Sequence, residues 1–212
     1  AAAPTRYALE RKDWQAAITL ELQPKNFPWK DYPWERSIIS FGRLLGAVHM
    51  NKPDIVQHSL QELKTNHPDL VKLTKSYEAN QVLIQIKASE AWIAYKKGNK
   101  AEAIQRMTEA ADMEDATEKH PVTPGEVVPA RELLADLLME YKEYHQALEV
   151  YEEDLKRHSG RFNGLYGAAR AAKKMGDTET AKKYIQQLNA AAKLDELNRS
   201  TVSRTDITVA KL

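Results

Sequence analysis

The residues best suited to chemistry in this chain are six histidines, His49, His58, His67, His120, His145 and His158, and an acidic stretch that ends in a proline-bearing loop. No cysteine is present, which removes thiol nucleophiles, thiolate metal sites and disulfides together. The histidines form no His-Glu-x-x-His and no i, i+4 histidine pair, so the zinc-peptidase pattern is missing. His145 and Glu149 stand one helical turn apart, a spacing that seats two metal ligands and equally makes a solvated ion pair. Gly160, Gly164 and Gly167 match neither the dinucleotide nor the phosphate-loop spacing, and close helix packing accounts for them. No Gly-x-Ser-x-Gly elbow raises a serine to nucleophile.

The acidic stretch carries Glu102, Glu109, Asp112, Glu114, Asp115, Glu118 and Glu126 against only Arg106 and Lys119. It runs into Pro121, Thr123, Pro124 and Gly125, which forbid a continuous helix. One reading is a loop in which Glu118, His120 and Thr123, backed by Arg161, converge on a cation, an amine or another small ligand. The other is a solvated helix end whose prolines steer the chain into the next helix. No cofactor is implied. Thirty-one Lys+Arg against 30 Asp+Glu give a net charge of +1, without the global field of a nucleic-acid binder. No apolar run is long enough to cross a membrane as a helix, and the mean hydropathy is −0.60.

The elements that must position these residues repeat. Ala147-Leu148-Glu149-Val150-Tyr151 and Ala181-Lys182-Lys183-Tyr184-Ile185 lie 34 residues apart. With the small residue of the second helix set as position 20, a unit over 128–161 carries Leu134, Ala135, Leu138, Tyr144, Ala147 and Tyr151 at positions 7, 8, 11, 17, 20 and 24. A unit over 162–195 places Ala168, Ala169, Ala172, Ala181 and Ile185 at 7, 8, 11, 20 and 24, turning at Gly176-Asp177. A third, over 84–117, has Ala91, Ala94, Ala103 and Met107, turns at Gly98-Asn99, and is followed by the proline-bearing insertion at 118–127. Two helices approach closely only where side chains are small, so recurring alanines predict helix crossings flanked by larger residues.

Upstream the pattern degrades. Helices are predicted over 34–49 and 53–65 as a degenerate pair within 34–68, and one unbroken helix over 69–97, which contains no Gly or Pro. Residues 6–11 and 13–17 read as the end of one helix and the start of its partner, a unit lacking its first turns. The opening Ala1-Ala2-Ala3-Pro4-Thr5 has neither Met nor the layout of a signal peptide, so the expectation is a domain trimmed from a longer protein, its compartment undetermined. The tail over 196–212 is polar and is expected to fray.

These residues resemble the tetratricopeptide repeat, whose pattern puts large, small and aromatic residues on helix A and Ala and an aromatic on helix B. The stretches 115–125, 129–134 and 161–172 resemble the C-terminal part of a group of bacterial tetratricopeptide proteins. The resemblance implies an all-α fold, a right-handed superhelix of antiparallel helix pairs, over 1–212 as one solenoid. It also implies a concave groove lined by helix A, with Trp92, Tyr95 and Lys96 at one end, Glu132, Asp136, Met139 and Glu140 in the middle, and Asn163, Tyr166, Arg170 and Lys173 at the other.

Such a surface suits an extended protein or peptide partner, since aromatics supply contact area at little entropic cost and charges fix direction; the other reading is that Trp92 and Tyr95 pack against a neighbouring helix and the charges form pairs within the repeats. The carboxylate-clamp pattern of Lys and Asn that holds chaperone tails is not matched, because Glu132 and Asp136 occupy positions 5 and 9 of the central repeat. The expected function is therefore a non-catalytic interaction scaffold. Two alternatives stand beside it: the His120 loop as a small-ligand or metal site, and self-association through the truncated first unit. Phe27, Trp29, Tyr32 and Trp34, interleaved with Pro28 and Pro33, form either a partner patch or a rigid connection whose rings cover the adjacent helices.

Overall fold

The computed structural model describes residues 1–118 and 126–198, and among them all regular structure is helical. The helices are α1 (Ala2–Glu10), α2 (Trp14–Ile18), α3 (Pro33–His49), α4 (Pro53–Lys72), α5 (Ser76–Lys96), α6 (Lys100–Asp115), α7 (Ala130–Glu140), α8 (Tyr144–Arg157), α9 (Phe162–Met175) and α10 (Thr178–Asn198), with a short 3₁₀ turn over Trp29–Asp31. The expectations for His120, Thr123 and the tail beyond residue 198 lie outside the described residues. The chain divides into two compact units, Ala1–Ala130 and Arg131–Leu212.

Inside each unit, helices pack on their neighbours in sequence. In the first unit α3 meets α4, α5 meets α6, and α1 and α2 lie on α3; in the second, α9 packs on both α8 and α10. The alanines at the predicted crossings, Ala91, Ala103, Ala135, Ala147, Ala169 and Ala181, are fully buried, as is Met107. Of the three glycines that the sequence assigns to packing, Gly164 and Gly167 have that role, whereas Gly160 is exposed, takes a left-handed φ of 77° and has nothing within 4 Å of a Cβ built on it. A Cβ on Gly164 would lie 3.0 Å from Leu155 Cδ2, and one on Gly167 would overlap the ring of Tyr151. At the start of the chain α1 buries Thr5, Ala8 and Leu9, while Tyr7 stands exposed with the Arg11 guanidinium 5.3 Å from its ring.

Among the described residues, six helices end in one and the same way. After α1, α3, α4, α5, α7 and α9 a residue takes the left-handed conformation: Lys12, Asn51, Thr74, Gly98, Lys142 and Gly176. Its amide donates to the carbonyl three residues back, and the next amide reaches five residues back, as in Thr74 N to Val71 O and Lys75 N to Leu70 O, both 3.0 Å. This is the Schellman arrangement, which satisfies carbonyls the helix leaves open. Asp13 and Asp177 then cap the starts of α2 and α10, accepting from the amides of Ala16 at 2.9 Å and Thr180 at 3.0 Å. The bonds from Thr180 hold the Asp177 carboxyl below its ordinary range.

The long helix expected over 69–97 is instead two. α4 continues to Lys72 through Pro68, and α5 begins at Ser76. Pro68 is tolerated because it is exposed, so the carbonyl of Lys64 that loses its amide partner faces the solvent side of the helix. Leu63, Asn66 and Leu70 are fully buried on the opposite face and hold the helix across it. The break falls at Thr74, whose φ of 56° is unusual for a threonine and left no glycine to announce it.

Candidate partner-binding surface

In the second unit, two of the three acidic residues expected to line a groove, Glu132 and Asp136, are turned to internal use. Glu132, in the first turn of α7, is 1% exposed, and its two carboxylate oxygens accept from Arg161 Nε at 2.9 Å and Nη2 at 3.1 Å. This bidentate geometry leaves Glu132 no open surface for a partner, and it places Arg161 against α7. One turn further on, Asp136 accepts from the Tyr151 hydroxyl at 2.6 Å. Tyr151 is 1% exposed; burial first, then the Asp136 carboxylate, pushes its phenol well above the usual tyrosine range. Asp154, buried on α8, meets His158 Nδ1 at 2.8 Å through Oδ1, while its Oδ2 has no hydrogen-bond partner.

Tyr184 is held up likewise, by burial and by the Glu152 carboxylate at 2.5 Å. Both phenols stay protonated in the fold after unfolded tyrosines begin to ionise near pH 10, so their contribution to stability is present below that pH and is lost as pH climbs above it. Helical content followed by circular dichroism is expected to hold to about pH 10 and then fall. Replacing Tyr151 by Phe should flatten that decline; an identical alkaline limb in the variant would contradict the assignment.

The outward side chains of α9 in this unit are mainly aromatic and basic, while carboxylates such as Glu140, Glu149 and Glu153 are exposed on α7 and α8. Phe162, Tyr166 and Arg170 follow one another at intervals of four along α9. The two rings stack with centroids 6.0 Å apart at 16°, and the guanidinium lies 5.8 Å from the Tyr166 centroid. Phe162 is 41% exposed. Lys173 and Glu140 are exposed, and Met139, Asn163 and Tyr166 half-buried. Phe162 was not among the expected site residues, although its spacing from Tyr166 and Arg170 marks one helical face.

In the first unit the aromatic end expected of the groove is mostly core. Trp92 is 2% exposed and its indole nitrogen has no hydrogen-bond partner. It closes a column in which His49 stacks on Trp14 at 4.0 Å and tilts against Trp92 at 4.7 Å, with Tyr95 edge-on to Trp92 at 5.6 Å. Tyr95 is half-buried and Lys96 exposed, its amine 6.0 Å from the Tyr95 ring centre. The connector follows neither reading entirely. Trp34 enters the core, whereas Phe27, Trp29 and Tyr32 pack on one another with centroids 4.5 to 6.0 Å apart, Phe27 and Tyr32 remaining exposed.

The acidic run serves structure for the most part. Glu102 pairs with Arg106 at 2.8 Å, Glu109 with Lys87 at 2.5 Å, and Glu114 accepts from the amide of Ala130 at 2.7 Å. The hydrogen bonds from Arg106 and Lys87 hold Glu102 and Glu109 below the ordinary carboxylate range. Glu118, at the edge of the described residues, is exposed. His145 and Glu149 form an exposed pair at 3.5 Å. Among the described residues no group of three His, Asp or Glu side chains is arranged to hold a metal, and no helix is long and apolar enough to cross a membrane. Compared with family models, with curated proteins and with solved structures, the chain matches none.

Proposed function

We propose that this chain is a non-catalytic protein-interaction module built from tetratricopeptide-type helix pairs, and that it holds a partner segment against the outer face of α9. The observation that carries this reading is the Phe162, Tyr166 and Arg170 stack, a preordered surface of two rings and a guanidinium on one rigid helix. Aromatic rings give contact area with few rotors to immobilise, and Arg170 and Lys173 favour a partner that carries carboxylates. With Glu132 joined to Arg161 and Asp136 to Tyr151, neither carboxylate is free to select a basic segment, and the partner suited to this face is acidic.

A fluorescent peptide alternating glutamate and leucine is the probe, with a lysine and leucine counterpart as control. Phe162→Ala combined with Arg170→Gln should weaken the acidic probe by about tenfold, the effect of losing roughly 1.4 kcal/mol of aromatic and charge contact. Equal binding of both peptides, or of probe to variant and parent, would remove the α9 face from consideration.

A further inference from the structure

The apolar stripe of α4 is only partly covered. Leu63 and Leu70 are fully buried, but Val56 and Leu60, on the same face nearer the start of the helix, are half-exposed. Together with Val48 of α3 and Ile93 of α5 they line a pocket of about 350 Å³ in the Ala1–Ala130 unit. Its rim carries Lys52, Lys96 and Lys97, all exposed, and no carboxylate is among its lining residues. Lys97 is also within electrostatic reach of Glu102, and Lys96 leans over Tyr95.

We propose that this pocket binds an amphipathic carboxylate: an aliphatic chain on Val48, Val56, Leu60 and Ile93, its anionic head among the three lysines. The apolar floor favours burial of methylene groups, each contributing about 0.8 kcal/mol when fully removed from water. The rim selects the head by charge, because three ammonium groups beside the neutral Asn51 and Gln57 amides favour an anion over a neutral or cationic end. The volume lies at the lower end for small-molecule pockets, which suits a short acyl chain better than the side chains of an extended peptide. This site is independent of α9 and of the partner reading above.

Decanoate below its micelle concentration is the probe, titrated calorimetrically into the full chain, with decanol, decylamine and an acidic leucine-ended peptide as comparisons. Decanoate should bind, and decanol and decylamine should bind more weakly. Lys96→Gln with Lys97→Gln should weaken decanoate by about tenfold, the loss of two modest surface charge contacts, with decanol unaffected. Val56→Trp, which fills the mouth from an already half-exposed position, should abolish binding of both while leaving the thermal melt intact. Decanol equal to decanoate, decanoate unaffected by Val56→Trp, or the peptide binding where decanoate does not would each overturn the proposal. Should Val56→Trp fail to fold, a photoreactive decanoate on the parent chain takes its place: crosslinks on α4 and α5 support the pocket, and crosslinks confined to other helices overturn it.

Discussion

Replacing Gly167 with alanine should destabilise the Arg131–Leu212 unit by about 3 kcal/mol or more, at the upper end for overpacking a core. The new methyl would sit 2.2 Å from Tyr151 Cζ and 2.5 Å from Cε1, distances that no non-bonded pair of carbon atoms tolerates. The ring has nowhere to retreat. It is 1% exposed, and its hydroxyl is tied to Asp136 at 2.6 Å. Relief therefore requires α8 and α9 to move apart, which uncovers alanines packed at zero exposure along the same seam. Gly164→Ala is the internal control: its Cβ would press only on the flexible end of Leu155, at 3.0 Å, and its cost should be well under that of Gly167→Ala. Urea melts of the two variants distinguish them, and a Gly167→Ala midpoint equal to the parent's would show that α8 and α9 are not packed through Tyr151.

Arg161→Ala should cost a comparable amount, about 3 to 5 kcal/mol, because it strips two charge-assisted hydrogen bonds from a carboxylate that is 1% exposed. The size of the effect comes from what stays behind. Exposed pairs such as His145 with Glu149 can be broken with little consequence, since water replaces the lost partner. At Glu132 no water surface is available. Removing both charges by Glu132→Met with Arg161→Met should recover most of the loss, as apolar groups of similar volume need no partner. If Arg161→Ala melted within about 0.5 kcal/mol of the parent, the pair would have to be treated as a surface contact.

Much of the helical pairing was legible because it is written in residue size. Ala91, Ala103, Ala135, Ala147, Ala169 and Ala181 recur at the repeat spacing and all are fully buried, so the demand for a small side chain inside packed helix pairs leaves a trace in the sequence. Gly98 and Gly176 likewise announced their turns through the left-handed backbone. The candidate surface was less legible. Position along its own helix fixes which way each of Glu132 and Trp92 points, but their exposure depends on what another element brings to meet them: Arg161 for the first, His49 for the second. Spacing does not encode that encounter. Val56 and Leu60 show the converse, a periodic apolar stripe that predicts burial where the fold leaves a pocket.

The helix stops at Lys12, Thr74 and Lys142 are held by main-chain bonds at positions where a left-handed L-residue costs about 1 to 2 kcal/mol. The amide and carbonyl groups that make them belong to every amino acid except proline, which lacks the amide. Any residue but proline can therefore make the same bonds at these corners, glycine and asparagine at the least backbone cost, while the helix ends stay where they are. Added side-chain volume should accordingly find room at these exposed corners and none at the buried alanines.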